Sequence, residues 1–440
     1  MPSAPASPST ARAINDRLAL RLLQEQGPLT ASRLKELTGL SRPTVADLVE
    51  RLQGAGLVRV VGESGAERRG PNAKLYGIAA DRAHLAALDV RLRGVTVTVT
   101  DLLGAPLAEA SAPIGGDMDT GPAVERAAAL LERTVRESGA TRPHTVGVGA
   151  PGLIDPATGA LRDSAGLPDW HRRLVTVLRE RTAATVLVEN ETNLAAMAEL
   201  REGAARDRDT FVLLWLGHGV GAAVVLDGAV RRGASGGAGE IGFLPVPGTG
   251  ALPSAGDCSG GFHSLAGSAA VRALAARYGI EAAGSDTEGE PAGASAVRAA
   301  LDGLAGHGPG AADGRGPGAK DGRGPGAADG PGPGAEDGRG PGAEAAGAFL
   351  DALAERVALG AAAVCAVLDP GCVVLGGELG HAGGAALAAR VEQRLAPLSP
   401  LRTEVRASDL GGAAVLRGAL LTARDAAQDA LFGTPPAPHG

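Results

Sequence analysis

The sequence has few of the residues that would place the protein outside the cell or in a membrane. Its 440 residues include only three cysteines, Cys258, Cys365 and Cys372, too few for a disulfide framework, so a reducing compartment fits best. The opening run MPSAPASPSTAR lacks the apolar core of a signal peptide. No apolar run reaches the roughly 18 residues that a membrane helix needs. We therefore expect a cytoplasmic protein without a membrane partner.

Aromatic residues are also scarce, at 2% of the chain, but 44% of the residues are hydrophobic. A chain of this length and composition can bury two or three cores, so we expect a globular protein. The net charge is −7, yet basic residues exceed acidic ones by four in the stretch up to Lys74. A basic N-terminal segment followed by an acidic remainder of the chain is typical of a nucleic-acid-binding module joined to a second domain.

The first 80 residues have the pattern of three helices followed by two strands. Residues 11–27 predict the first helix, Thr30 can cap a second, and Gly39 provides the turn before a third. Ser41 can cap the third helix, with Pro43 in its first turn, where a missing N–H costs nothing. The predicted inward faces are Ile14, Leu18, Leu22 and Leu23 on the first helix, and Val45, Leu48, Val49 and Leu52 on the third.

The outer side of the third helix has the short polar and arginine side chains of a recognition helix in the major groove. The strands LVRVV and KLYGI follow it, around a basic loop. We predict a disordered tail over 1–11 and a winged helix-turn-helix over 12–78 that binds double-stranded DNA as a dimer or tetramer. A three-helix protein-interaction domain is the alternative. The candidate DNA contacts are Ser41, Arg42, Pro43, Thr44, Asp47, Arg51, Arg68, Arg69 and Lys74.

From residue 84 onward, strand patterns alternate with helical ones. Strand candidates run from HLAALDV at 84–90 to CVVLG at 372–376, which predicts a layered α/β body. Residues 282–346 interrupt it with five copies of GPGA at an eight-residue spacing, which excludes the three-residue period of collagen. Without bulky apolar side chains this segment cannot offset its ordering entropy, so we expect a disordered insert.

Several runs in the body resemble the ROK family of repressors and sugar kinases. They are VGVGAPGLIDPATG at 146–159, VENETNLAAMAE at 188–199, LGHGVGAAVVLDGAVRRGASGGAGEIG at 216–242 and LDPGCVVLGGEL at 368–379. The resemblance implies a duplicated actin-like, ribonuclease-H-like α/β domain over 82–430 for effector binding and oligomerisation. The winged helix followed by RRGPNAKLYGI resembles the transcription-factor branch of that family, here of an actinobacterial type.

The loops that serve the sugar kinases of this family are altered in this chain. The kinases carry D-x-G-G-T, but here the run is DVRLR at 89–93, so side chains replace the glycines that admit ATP phosphates. A second kinase loop, G-T-G-x-G, keeps its glycines but has His218 in place of the threonine. Glu191 replaces the catalytic aspartate and extends it by roughly 1.5 Å, a shift that can cost about 10²-fold in rate. We therefore expect no catalytic residue and no enzyme.

The run from Gly233 to Gly267 aligns with the metal and sugar loop of the family. Zinc-containing members would have a histidine where Phe243 stands and three cysteines where only Cys258 remains, so we expect no metal and no cofactor. The resemblance implies that carboxylates and an amide still accept hydrogen bonds from a polyol. The candidate ligand-binding residues are Asn190, Glu191, Glu240, Phe243 and His263.

Three functions stay open on the sequence. The first is a DNA-binding transcriptional regulator, a repressor, in which a sugar or modified sugar shifts the balance between two conformations. The second is a ROK sugar kinase with residual ATP-dependent activity. The third is a ligand-independent DNA-binding protein with a vestigial pocket.

Overall fold

The chain divides into two units, each of which contains a five-stranded sheet. The computed structural model of the protein describes residues 8–64, 72–162, 167–281, 291–305 and 341–433. The first unit runs up to Ala198 and also takes in Arg232–Gly237 and the chain from Ala413 onward; the second comprises Glu199–Arg231 and Ala238–Gly412. Within the described ranges, no helix is long and apolar enough to cross a membrane.

The first unit begins with the predicted three helices and a small antiparallel sheet in the order β1-β3-β2. The elements are α1 (Pro8–Gln26), β1 (Leu29–Thr30), α2 (Ala31–Thr38), α3 (Arg42–Gly54), β2 (Val58–Ser64) and β3 (Ala73–Ile78). The predicted caps are confirmed, because the Thr30 hydroxyl accepts from Arg33 N at 3.2 Å and the Ser41 hydroxyl from Thr44 N at 3.3 Å. Gly39 has φ 71°, a left-handed conformation that favours glycine. Helix α1 begins at Pro8, so the predicted disorder of the tail 1–11 was wrong for its last four residues.

The apolar face predicted for α3 is confirmed, but that of α1 was wrong in part. Ile14 and Leu18 are 45% and 39% exposed, whereas Ala19, Leu20 and Leu23 are buried. Each residue turns an α-helix by about 100°, so Ile14 and Leu18 lie more than about 140° around α1 from the centre of the buried face. The buried stripe of α3 consists of Val45, Leu48, Val49 and Leu52.

The sheet of the first unit follows the winged helix and combines antiparallel and parallel strands. Its order is β6-β5-β4-β7-β8, in which β7 pairs parallel with both β4 and β8. Alternate residues of β7 lie on opposite faces of the sheet. Val146 and Val148 pack in the core with α4 and α5, whereas Gly147 and Gly149 lie against α12. The elements are β4 (His84–Arg91), β5 (Gly94–Asp101), β6 (Pro106–Pro113), α4 (Thr120–Glu137), β7 (Thr145–Ala150), α5 (Trp170–Arg181), β8 (Thr185–Asn190), α6 (Glu191–Glu202) and α12 (Ala414–Phe432).

The second unit has a sheet in the order β11-β10-β9-β12-β13. Its elements are β9 (Phe211–Leu216), β10 (Val220–Leu226), β11 (Ala229–Arg231), α7 (His263–Ala266), α8 (Ser268–Arg277), α9 (Ala292–Ala305), α10 (Pro341–Leu368), β12 (Cys372–Gly376), α11 (Gly377–Leu395) and β13 (Glu404–Ala407). In both sheets the third, second and first strands form an antiparallel meander, and the fourth and fifth continue in parallel from the first. This repeated strand order confirms the expected duplicated α/β fold.

The predicted disordered insert was wrong for part of its length. Residues 292–305 form α9, in which Ala294, Ala296 and Val297 are buried against the core of the second unit. Small side chains allow this close packing, and the backbone N–H of Gly293 donates to Ser268 Oγ at 2.9 Å. Helix α10 begins at Pro341, so the last residues of the insert are also helical. The remaining GPGA copies lie outside the described residues.

The core of the winged helix continues into the body of the first unit. Leu20 and Leu23 of α1 share a buried cluster with Leu102, which follows β5, and with Ala423 and Ala427 of α12. An ion pair of 2.5 Å between Arg17 and Asp429 joins α1 to α12 at the surface. The winged helix and the C-terminal helix are therefore packed as one structure within this unit.

Candidate functional site

The N-terminal end of α3 presents a group of polar side chains to solvent. Ser41, Arg42, Pro43 and Thr44 are all exposed, and Asp47 follows one turn later on the same side. The Ser41 hydroxyl lies 2.8 Å from the Thr44 hydroxyl, so the cap holds both side chains at the start of the helix. Arg42 has no ion-pair partner among the residues that the structure describes. The Arg42 guanidinium can therefore donate hydrogen bonds to a ligand without breaking an ion pair within the described residues.

Arg51 differs from the other candidates on α3 because it binds carboxylates within the chain. Its guanidinium donates to both carboxylate oxygens of Asp16 on α1, with Nη2–Oδ1 at 2.5 Å and Nε–Oδ2 at 3.2 Å, and also pairs with Asp47. The hydrogen bond with Asp16 is the main cause that raises the pKa of Arg51. Arg51 therefore ties α3 to α1, a role that the sequence pattern did not indicate.

The predicted basic wing is only partly described. Lys74 is exposed on β3, directly opposite Glu63 of β2, and Asn72 Nδ2 donates to that carboxylate at 3.3 Å. Arg68 and Arg69 lie outside the described residues. Lys74 therefore stands beside a carboxylate rather than in a purely basic surface.

The altered kinase loop at the end of β4 is a tight hairpin in which side chains bind one another. Strand β4 ends at Arg91 and β5 starts at Gly94, which leaves only Leu92 and Arg93 in the turn. Asp89 is 6% exposed, and its Oδ2 accepts from Arg91 Nε at 2.9 Å and Nη2 at 2.8 Å. An arginine therefore pairs with one oxygen of the carboxylate where the kinases of the family have glycine, whereas the buried Oδ1 has no hydrogen-bond partner among the described residues.

The second glycine-rich turn connects β9 and β10 in the second unit. The N–H of Gly217 donates to the carbonyl of Gly219 at 2.9 Å, which closes the turn. A Cβ at Gly217 would lie 2.5 Å from Glu378 Oε2 and 2.9 Å from Trp215 Nε1, so a larger residue would require the Glu378 side chain to move. Gly217 thus has a close packing contact that does not involve phosphate, whereas Gly219 has room for a Cβ.

The run Glu189-Asn190-Glu191 joins β8 to α6, and its first two side chains are used within the first unit. Glu189 is 6% exposed; its Oε1 accepts from Asn190 N at 2.9 Å and Asn193 Nδ2 at 3.0 Å, and its Oε2 pairs with Arg232 Nε at 2.5 Å. Asn190 Oδ1 accepts from two backbone N–H groups of α6, and its Nδ2 donates to Gly152 O at 3.0 Å. Glu191 begins α6 and is half-buried. Asn190 therefore caps a helix in addition to any part in ligand binding.

The second unit holds the other ligand candidates in the loop between β11 and α8. Gly239 has φ 92° and packs so closely on the Ala222 carbonyl that a Cβ would overlap it, which places Glu240 at a sharp turn. The residue Glu240 is exposed, yet partial desolvation of its carboxyl raises the pKa above the ordinary value. Phe243 is 38% exposed. A carboxylate and an aromatic face are therefore both accessible in this loop.

His263 begins α7, and its imidazole lies beside Gly219 and Gly267. A Cβ on Gly219 would be 3.9 Å from the imidazole and one on Gly267 about 3.1 Å, so the ring fills space beside the β9–β10 turn. Burial lowers the pKa of His263, and the Asp257 carboxylate opposes that shift. Cys258 is half-buried, and burial raises the pKa of its thiol. Within the described ranges, no group of three or more histidine, cysteine, aspartate or glutamate side chains could hold a metal ion.

The five ligand candidates fall into two sets. Asn190 and Glu191 belong to the first unit, whereas Glu240, Phe243 and His263 belong to the second. The sequence analysis missed Arg232, although it lies within a run that carries the family resemblance. No local pattern indicates that this arginine pairs with Glu189, because 43 residues separate them.

Comparisons with known proteins assign a family to most of the chain. The ROK family matches residues 118–300 and 339–426, and the MarR family matches residues 14–70. Together the two ROK segments cover more than half of the chain.

The curated relatives include regulators and kinases. The xylose repressor of Caldicellulosiruptor bescii is 24% identical over 53% of this chain and 59% of that protein. The DNA-binding transcriptional dual regulator NagC of Escherichia coli is 28% identical over 53% and 57%. The glucokinase of Thermotoga maritima is 37% identical over 29% and 40%. The chain thus spans between two fifths and three fifths of these relatives.

Solved structures show the same fold. A ROK family transcriptional regulator described as a homologue of the E. coli MLC protein superposes with a TM-score of 0.69 at 20% identity, over 96% of this chain and 98% of that one. A ROK family glucokinase from Streptomyces griseus, in complex with glucose and AMPPNP, has a TM-score of 0.57 at 21% identity, over 78% and 99%. The first of these covers the winged helix and the body, whereas the glucokinase covers less of the chain.

Proposed function

The chain belongs to the ROK family, and from that membership we propose that it is a DNA-binding transcriptional repressor whose ROK domain senses a sugar or sugar-like molecule. The observation that carries the proposal is the N-terminal end of α3, where Arg42 and Thr44 are exposed on a capped helix. The xylose repressor and NagC, which resemble this chain over about half its length, are regulators by name.

DNA binding follows from the chemistry of that helix end. Short hydroxyl side chains and an arginine at the N-terminus of a recognition helix suit hydrogen bonds to base edges and phosphates in the major groove. The N–H groups of the first turn, together with the helix dipole, also favour a phosphate there. We propose that Ser41, Arg42, Pro43 and Thr44 lead this contact and that the wing adds Arg68, Arg69 and Lys74. The module would act in the cytoplasm as a dimer or tetramer on paired half-sites.

A kinase is the second candidate, because the glucokinase of Thermotoga maritima is also a relative. The paired Asp89 and Arg91 and the two-residue turn beside them argue against ATP binding, since an arginine stands where phosphates need open backbone. Glu191 could accept the proton of a sugar hydroxyl in such a reaction only from a displaced position. We therefore propose a regulator without phosphoryl transfer.

The effector site would use the carboxylate of Glu240 and the exposed face of Phe243. Carboxylates accept from sugar hydroxyls, and an aromatic ring can stack on the apolar face of a sugar or of an aryl substituent. The shared core of α1 and α12 gives the winged helix a packed connection to the body. An effector with different affinity for two arrangements of the protein would then change how the DNA-reading helices are presented.

The deciding experiment is a gel shift and footprint on DNA upstream of the gene itself, with and without a panel of sugars. We expect specific binding that weakens steeply as salt increases, because phosphate contacts release counterions, and that one sugar reverses. Failure to protect any fragment beyond non-specific DNA would count against the repressor.

Two further measurements separate the alternatives. ATP consumption across the same sugars at high protein concentration, if it were abolished by Glu191→Gln, would establish a kinase. A thermal-shift screen with the sugars separates a sensor from a ligand-independent DNA-binding protein, because a ligand that binds the native state must raise its stability. A panel without any shift would favour the vestigial pocket.

A further inference from the structure

A cavity of about 530 Å³ lies at the edge of the first unit's sheet where the parallel strands begin. His84 is the first residue of β4, His144 precedes β7, and Thr185 is the first residue of β8. The altered kinase loop at 89–93 and the run 189–191 lie at the carboxyl ends of β4 and β8. The cavity is therefore at the opposite edge of the sheet from the residues with family roles.

Two arginines, Arg82 and Arg142, give the lining of this cavity its positive charge. His84 and His144 also line it, and the carboxylate that it contains belongs to Asp81. That carboxylate is already paired, because both of its oxygens accept from Nη1 of Arg59 on β2, at 2.9 and 3.0 Å. In the part of the chain that the structure describes, neither Arg82 nor Arg142 has an ion-pair partner. The cavity thus keeps an excess of positive charge.

The positive charges converge on His144. Burial lowers the pKa of this imidazole first, and the nearby charges of Arg82 and Arg142 lower it further. Its Nδ1 lies 2.9 Å from the Thr145 hydroxyl, which orients the ring. An anion bound in this recess would relieve the repulsion between the two arginines.

We propose that this cavity binds a small phosphate-bearing anion, either inorganic phosphate or a phosphate monoester. Arginine guanidinium groups match phosphate oxygens in a bidentate fork, and imidazole and threonine hydroxyl groups can complete the hydrogen bonds. Thr141 and Thr185 supply those hydroxyls at the rim. The volume of about 530 Å³ lies in the range of small-molecule sites.

The site adjoins the segment that joins the winged helix to the sheet. Arg82 belongs to a 3₁₀ turn, Ala80–Arg82. The N–H of the preceding residue, Ala79, donates at 2.9 Å to the carbonyl of Leu57, which lies between α3 and β2 in the winged helix. On the other side, the N–H of Leu102 donates to the Ala80 carbonyl at 2.9 Å. An anion held by Arg82 would therefore bind directly to this connection. The proposal does not depend on DNA binding or on the sugar site.

The test is calorimetric titration of the full chain with inorganic phosphate and with a hexose 6-phosphate, at constant ionic strength set with chloride. We expect saturable binding of both, and no binding of the unphosphorylated hexose at this site. The double variant Arg82→Gln/Arg142→Gln should weaken binding at least tenfold, while Arg126→Gln, at an exposed arginine on α4, should leave it unchanged. Arg142→Lys, which keeps the charge, should cause a smaller loss.

Thermal unfolding without phosphate checks that the double variant is folded, and both exposed positions should tolerate the change. Absence of saturable binding by either phosphate compound would overturn the proposal, as would binding that the double variant leaves intact. A double variant that loses affinity for non-specific duplex DNA, in a protein that binds neither phosphate compound, would assign these arginines to the DNA backbone instead.

Discussion

The N-terminal end of α3 and the carboxyl end of the first unit's sheet both carry polar side chains, but they use them differently. On α3, Arg42 and Thr44 point to solvent from a capped helix end. At the sheet, Glu189 and Asn190 bind backbone groups and neighbouring side chains, and Asp89 binds Arg91. The bound side chains of Glu189 and Asn190 stabilise the fold, whereas the exposed Arg42, which has no ion-pair partner in the described ranges, is available to a partner. The difference separates an exposed polar surface from side chains that are bound within the fold.

The largest effect on stability should come from removing the buried carboxylate of Glu189, which binds Asn193 and Arg232. Glu189→Ala would leave the buried amide of Asn193 without its acceptor and remove the partner of Arg232, so we expect a loss of about 3 kcal/mol in the free energy of unfolding. Urea denaturation measures this. Glu189→Gln keeps one acceptor oxygen and should cost less. A loss below about 1 kcal/mol for the alanine variant would show that the network is dispensable.

Acid should weaken the same unit through His171 of α5, which is 1% exposed. Burial lowers its pKa from 6.5 to about 4. The imidazole of His171 therefore binds a proton more tightly in the unfolded chain than in the folded one. The contribution of the neutral, buried His171 to the free energy of unfolding is fully present above about pH 6.5 and is lost as the pH falls toward 4. Between pH 7.5 and 5 the loss should be about 2 kcal/mol. Urea denaturation of the wild type and of His171→Gln at both pH values checks this, since the variant should lose less; equal losses would exclude His171 as the source.

At the exposed end of α3, Arg42→Ala should lower DNA affinity and leave the free energy of unfolding nearly unchanged. We expect a loss of about 1–2 kcal/mol in specific DNA affinity, roughly tenfold or more, because the arginine would contact a base edge or phosphate. The free energy of unfolding should stay within about 0.5 kcal/mol, since the side chain is exposed. Gel shifts and urea denaturation measure the two quantities, with Arg126→Ala as the control. Unchanged DNA affinity would remove Arg42 from the interface.

The smallest effect is expected at Arg51, which lies on the same helix as Arg42 but is paired within the chain. Its pair with Asp16 is partly exposed, so a double-mutant cycle with Arg51→Ala and Asp16→Asn should give a coupling of about 0.5–1 kcal/mol in the free energy of unfolding. We also expect Arg51→Ala to weaken DNA binding less than Arg42→Ala does. An equal or larger loss of DNA affinity would place Arg51 in the interface.

Elements with local signals could be predicted, and those without them could not. Thr30, Ser41 and Gly39 mark helix ends through contacts within a few residues, and the buried strands β9 and β12 are continuous apolar runs. Strand β6 has no strong local signal, because it is largely exposed at an edge of the sheet and begins and ends with proline. Helix α9 was missed because it is surrounded by glycine- and proline-rich sequence, although its alanines pack well once a core is present.

The candidate sites show the same limit. The loss of the kinase glycines is visible at residues 89–93, but the pairing of Arg91 with Asp89 that follows from it depends on the geometry of the strand end. The partners of Arg51 and Arg232 are 35 and 43 residues away in the chain, beyond any periodic pattern. The cationic cavity is likewise formed by residues from three separate segments, which only the parallel strands bring together.

The sequence by itself determined the winged helix, the alternation of strands and helices, and the altered loops, because each depends on the chemistry of neighbouring residues. Tertiary structure alone decided which polar groups are free. Burial and distance settle whether a carboxylate such as Glu189 meets an arginine or remains open to a ligand, and both depend on how distant segments pack. The same residue type therefore forms an ion pair within the fold at Arg51 and is exposed to solvent at Arg42, nine residues earlier on the same helix.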